Sequence, residues 1–200
     1  MKRAAIVMIA VLTLAAAPLW AQTRTFDWED GTSTALGISG GAVIENSTEQ
    51  ANGGTHSLKI TEDPLGGTPQ AYIWWVTGLT DGDQVTASFW VYDITSSGSP
   101  SGRIWGHYTD TDVNSYAGSA SGNSDYSGTA TWTQLSHTWT FDSDTNTRDG
   151  LVVEARIYSS AQYDSIYVDD ASITVTAAGT AVITAPDGTV PVELMSFSVE

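Results

Sequence analysis

QAYIWWVTGLTDGDQVTASFWVYDIT, residues 70–95, carries the fold class. Two runs rich in Trp, Tyr, Val and Thr flank a polar, glycine-bearing segment at 79–83, the pattern of an antiparallel hairpin. In the second run Val85, Ala87, Phe89 and Val91 share one face and Thr86, Ser88, Trp90 and Tyr92 the other. Working outward, strand patterns recur at 42–45, 56–61, 71–77, 84–94, 102–108, 131–141, 151–159 and 165–176, and every gap holds Gly, Pro, Asn, Asp or Ser. No segment sustains a 3.6-residue apolar period, so helix is not expected. The predicted class is all-β: a β-sandwich of jelly-roll type with about eight or more antiparallel strands.

Both ends differ from this pattern. Residues 1–21 read as a signal peptide: Lys2 and Arg3 precede the apolar run 4–17, and Ala17 or Ala21 offers a small residue for cleavage. The run is too short and too interrupted, by Pro18, to span a membrane. Residues 22–176 form the expected sandwich. Residues 177–200 are expected as a linker followed by a strand-like run, VPVELMSFSVE, which either pairs with the sandwich or opens a further domain. The implied location is extracellular, secreted or at the cell surface. Without cysteine no disulfide braces the exported chain. A formal net charge of −16 argues against nucleic acid or anionic lipid as partner and favours neutral ligands and cations. A monomer is expected.

Few residues suit catalysis. There is no cysteine nucleophile, no GxSxG or phosphate loop, and His56, His107 and His137 lack zinc-binding spacing. The acidic residues make a glycosidase pair conceivable but unspecific, and the reading is non-enzymatic. Aromatic residues are more telling. Trp90 and Tyr92 lie two apart on a face otherwise polar; Arg103, Trp105 and His107 alternate on the next strand; Glu154, Arg156 and Tyr158 oppose the apolar face of Leu151, Val153, Ala155 and Ile157. Rings that stack on sugar C–H faces, beside a carboxylate and a guanidinium that read hydroxyls, form a saccharide site from Trp90, Tyr92, Trp105, Glu154, Arg156 and Tyr158. The alternative is an ordinary surface ion pair with the tryptophans covered by loops.

The acidic residues also suggest a structural Ca2+ ion. Asp169 and Asp170 are adjacent inside an apolar strand, and Glu29 and Asp30 sit at the start of the domain. Neighbouring carboxylates there are costly without compensation, and a hard cation with 6–8 oxygen ligands supplies it. If the first and last strands are neighbours, both acidic pairs meet at one edge, with carbonyls of 53–55 completing the shell, and since adjacent residues face opposite sides only one of Asp169 and Asp170 is needed as a ligand. The alternative is a charged edge that discourages aggregation. Asp142, Asp144 and Asn146 lack the glycine and glutamate of an EF-hand loop and read as a turn.

Taken together, WEDG (28–31), NGGTHSLKIT (52–61), VTGLTDGDQVTASFWVYD (76–93), Trp132 and IYVDDASI (166–173) resemble, in order, the carbohydrate-binding modules of the family 4/9/22 type, the CenC-like jelly rolls. The resemblance covers roughly residues 24–176. It implies a non-catalytic module that attaches its parent protein to a polysaccharide, an aromatic-lined cleft, and a calcium held by Glu29 with Asp169 or Asp170. Two rivals stay open: an adhesive or structural cell-surface domain without a sugar site, and an accessory domain of a secreted glycoside hydrolase.

Overall fold

The computed structural model describes residues 20–94, 100–159, 161–179 and 181–191; most of the expected signal peptide and residues 192–200 of the tail lie outside them. Among the described residues thirteen strands form two sheets. The first holds β3 (Ala42–Ser47), β4 (Ser57–Glu62), β11 (Ser165–Ala177), β6 (Gln84–Asp93) and β9 (Thr133–Thr140) in that order, with β1 (Trp20–Phe26) also on β11. The second runs β13 (Gly188–Pro191), β12 (Val182–Ala185), β5 (Gln70–Thr77), β10 (Gly150–Tyr158), β7 (Ser101–Thr109) and β8 (Ser119–Gly122), with β2 (Ile38–Ser39) also on β5. Every strand pairing is antiparallel. This is the β-sandwich read from the sequence.

Inward-facing side chains of the two sheets fill the space between them. Ile60, Phe89, Val91, Ile166 and Ile173 of the first meet Trp74, Ile104, Leu151, Val153 and Ile157 of the second, all fully buried. Gly106 belongs to this layer, since a Cβ there would come within 3.2 Å of the Trp139 ring. It makes room for a core tryptophan.

Two expectations are corrected. The stretch 70–95 is not a hairpin: β5 lies in the second sheet and β6 in the first, and the segment between them arches across the sandwich. Asp83 closes that arch, accepting the Thr80 N–H at 2.7 Å and the Ala178 N–H at 3.0 Å. The expected linker is also structured as far as Pro191. β12 and β13 form a hairpin, and β12 pairs with β5, so that part of the tail belongs to the sandwich. Arg24 of β1 clasps it, donating to the carbonyl of Gly188 at 2.7 Å and to Asp187 at 2.5 Å. β1 takes in Trp20 and Ala21, the last two residues of the expected leader.

Candidate functional site

The second sheet gathers the polar and aromatic side chains that matter most. β10 is flanked by β5 and β7, and register places Glu154 between Tyr72 and Trp105, and Arg156 between Gln70 and Arg103. A bulge sets the β5 side of this face. Val153 pairs with Trp74 but Glu154 with Tyr72, so Ile73 is extra and the inside-outside alternation shifts by one. Trp74 and Ile73 both enter the core, and Tyr72 and Trp75 both turn outward. The sequence alone does not tell which of Trp74 and Trp75 faces in, because a bulge leaves no mark on simple parity.

Glu154 is the centre of the group. It is only 1% exposed, with one oxygen hydrogen-bonded to His107 Nδ1 and the other accepting Arg156 Nε at 2.5 Å. A buried carboxylate is tolerable only with such compensation. His107 packs edge-on against Tyr72, ring centroids 5.0 Å apart, and beside the exposed Tyr116 at 5.8 Å. Burial, together with the charge of Glu154, pushes the Tyr72 hydroxyl up from its ordinary pKa, so it stays protonated. The guanidinium of Arg156 lies 4.8 Å, and that of Arg103 4.5 Å, from the ring centroid of Trp105. Trp105 is fixed by an indole N–H bond of 3.1 Å to Ser119 Oγ. Tyr126 and Tyr158 meet edge-on at 5.5 Å beyond Arg103.

Thus Trp105, Glu154, Arg156 and Tyr158 come together on one face. Trp90 and Tyr92 do not join them, because β6 belongs to the other sheet. There Tyr92 forms a separate group with Trp132, at 5.6 Å, and Tyr167, at 6.4 Å. Tyr167 hydrogen-bonds Glu49, which also holds Lys59 at 2.9 Å. Sequence reasoning missed Tyr72, Tyr116 and Tyr126. The last two sit in the long polar stretch between β7 and β9, which the pairing of β8 with β7 brings over the face.

The loop 50–56 is tied to Glu29 through Thr55 and His56, and to Asp169 and Asp170 through Asn52 and Gly53. Glu29 accepts the N–H groups of Thr55 and His56, each at 2.7 Å. Asp169, fully buried, accepts those of Asn52 at 2.7 Å and Gly53 at 3.2 Å, and Asp170 accepts the Asn52 side-chain amide at 2.6 Å. Burial raises the Asp169 carboxyl to about 6. Among the described residues no Lys or Arg pairs with these acids, and the all-oxygen chemistry suits a hard cation. In this arrangement, however, the carboxylates are engaged by amide N–H groups, and no three acidic or histidine side chains among the described residues surround a common point.

A separate cleft of about 510 Å3 is lined by Thr77–Asp81, Ser143, Asn146, Arg148 and Asp149. No aromatic ring lines it, and its guanidinium is engaged by Asp144 at 3.4 Å. It offers no stacking surface for a sugar.

No protein-family model and no curated protein matches the chain. Among solved structures the CBM22-1 xylan-binding domain from Paenibacillus barcinonensis matches with a TM-score of 0.52 at 16% identity, over 84% of this chain and 100% of that one. The CBM22-2 xylan-binding domain from the same organism matches at 0.54 and 19%, over 76% and 99%. The C-terminal family 22 carbohydrate-binding module of Clostridium thermocellum matches at 0.52 and 19%, over 78% and 92%. The chain has the fold of carbohydrate-binding modules of the 4/9/22 type. At these identities the likeness is one of fold, and the site is argued on its own residues.

Proposed function

We propose that this chain is a non-catalytic, exported carbohydrate-binding module that takes a polysaccharide across the outer face of the second sheet. One observation carries the reading: a buried carboxylate, Glu154, held on both oxygens and set beside the half-buried ring of Trp105. Sheets do not need a buried charge on their outer face, and such polar constellations beside rings are the usual makings of a ligand site. The two xylan-binding domains of like fold support a β-linked plant polysaccharide as first candidate. Glu154 is already engaged by His107 and Arg156, so it serves as a fixed hydrogen-bond acceptor and not as the acid of a glycosidase pair. The expected affinity is modest, with Kd on the order of 10 µM to 1 mM.

Affinity electrophoresis in soluble xylan tests this. The parent chain should be retarded, and Glu154→Gln and Trp105→Ala should each lose the retardation. Parent mobility unchanged across a panel of xylan, mixed-linkage glucan and mannan would overturn the reading. A specific observation favours the rival, an adhesive domain with no sugar site: Arg156 lies over the Trp105 ring, where a sugar would stack. On that reading no glycan retards the chain.

The leader and the calcium ion belong to the same proposal. Glu29 with Asp169 or Asp170 would hold the ion, which would offset their charge and brace the loop 50–56. Calcium binding requires that loop to exchange some amide contacts for oxygen ligands. Calorimetric titration of the chelator-treated chain with Ca2+ should give one binding event, lost in Glu29→Gln; no heat at millimolar Ca2+ rules it out.

A further inference from the structure

We infer that the face around Trp105 is built for a polysaccharide that carries occasional carboxylate groups, with Arg103 as the residue that reads them. The inference rests on the polysaccharide reading above and goes beyond it, since neutral sugars give Arg103 no charge to meet. Of the seven Lys and Arg in the sequence, Lys2 and Arg3 lie outside the described residues, leaving five. Four have acidic partners: Arg24 with Asp187 at 2.5 Å, Lys59 with Glu45 at 3.2 Å and Glu49 at 2.9 Å, Arg148 with Asp144 at 3.4 Å, and Arg156 with Glu154 at 2.5 Å. Arg103 is the fifth, and among the described residues no Asp or Glu pairs with it. With 23 acidic residues to 7 basic ones, a partner is the easy thing for a cation to find in this chain.

Arg103 is nevertheless held in place. Its Nε donates to the carbonyl of Asn123 at 2.6 Å, and its guanidinium lies 4.5 Å from the ring centroid of Trp105 and 5.2 Å from that of Tyr126. With Nε committed, the two terminal nitrogens make no hydrogen bond to any described residue. A planar guanidinium fixed in this way matches a carboxylate with two parallel N–H···O bonds, and restricting it beforehand lowers the entropy lost on binding. The charges of Arg103, Arg156 and Glu154 sum to +1, which one carboxylate balances. The acidic molecule as a whole repels a densely charged polyuronate, so the chemistry fits sparse uronic acid branches on a mainly neutral backbone.

The probes are a β-linked xylo-oligosaccharide bearing one glucuronic acid branch and the same compound with that carboxyl reduced to the alcohol, titrated calorimetrically into the full chain. The acidic form should bind about tenfold more tightly. Arg103→Gln should bind both forms equally. Arg103→Lys, which retains charge without the fork, should fall between. Equal binding of the two forms by the parent, or an Arg103→Gln variant that folds yet loses both forms to the same degree, overturns the inference and leaves the polysaccharide reading standing. Binding of neither form across the glycan panel removes both.

Discussion

A carboxylate taken out of water costs several kcal/mol unless its charge is met, and Glu154 depends on two neighbours for that. Arg156→Ala would leave it with His107 alone. We expect a loss of about 3 kcal/mol, read as a lower urea midpoint at unchanged slope. Trp90 and Trp105 separate by sheet, so Trp105→Ala should end xylan retardation while Trp90→Ala leaves it intact. Loss of retardation in Trp90→Ala would move the site to the first sheet. His137 faces inward at half-burial, and burial lowers its pKa from the ordinary value near 6.5. The folded state therefore takes up a proton less readily than the unfolded one. This group costs nothing above pH 6.5, and stability is lost as pH falls below it. Between pH 7 and 5 the melting temperature of the parent should drop further than that of His137→Gln; equal drops would show that His137 does not contribute.

At the level of elements, the eight strands expected from alternation are present within one to two residues at nearly every end, because each has an apolar face that must be buried. β1, β2, β8 and the hairpin of β12 and β13 were not legible. They are short segments or segments rich in Thr, Ala and Ser; even β12, which buries Ile183 and Ala185, is only four residues long and shows too little alternation to stand out. The hairpin covers the edge of β5. Ending the chain at Gly179 should expose that edge and produce concentration-dependent association in sedimentation, where the parent stays unchanged. The loop 50–56 also has a demanding geometry: Gly54 has a φ of +61°, and a Cβ there would lie 2.4 Å from the Glu29 carboxylate. Gly54→Ala should cost about 1–3 kcal/mol, seen by thermal melting.

Across the whole molecule, successive strands from β4 onward mostly alternate between the two sheets, and this is what divided the expected aromatic site. Side-chain parity in the sequence states whether a residue faces in or out, but not which sheet carries it. Trp90 and Trp105 share the outward sense and point away from opposite sides of the sandwich. Glu29 and Asp169 each hold the loop 50–56 through its backbone N–H groups, a role that the charge pattern alone does not state. Saturating oligosaccharide, at about 100 times Kd, should stabilise the fold by roughly 2.7 kcal/mol. For a domain of this size that is a rise of about 5–10 °C in melting temperature.

Seven of the eight tryptophans have described side chains, and these fall into distinct environments. Trp28, Trp74 and Trp139 are dry, Trp90 and Trp132 watch one exterior, and Trp75 and Trp105 watch the other. Fluorescence therefore comes with its own internal reference: a ligand seated around Trp105 perturbs only a minority of the emission. Replacing Trp90 and Trp132 by Phe would sharpen that optical signal without touching the surface being reported.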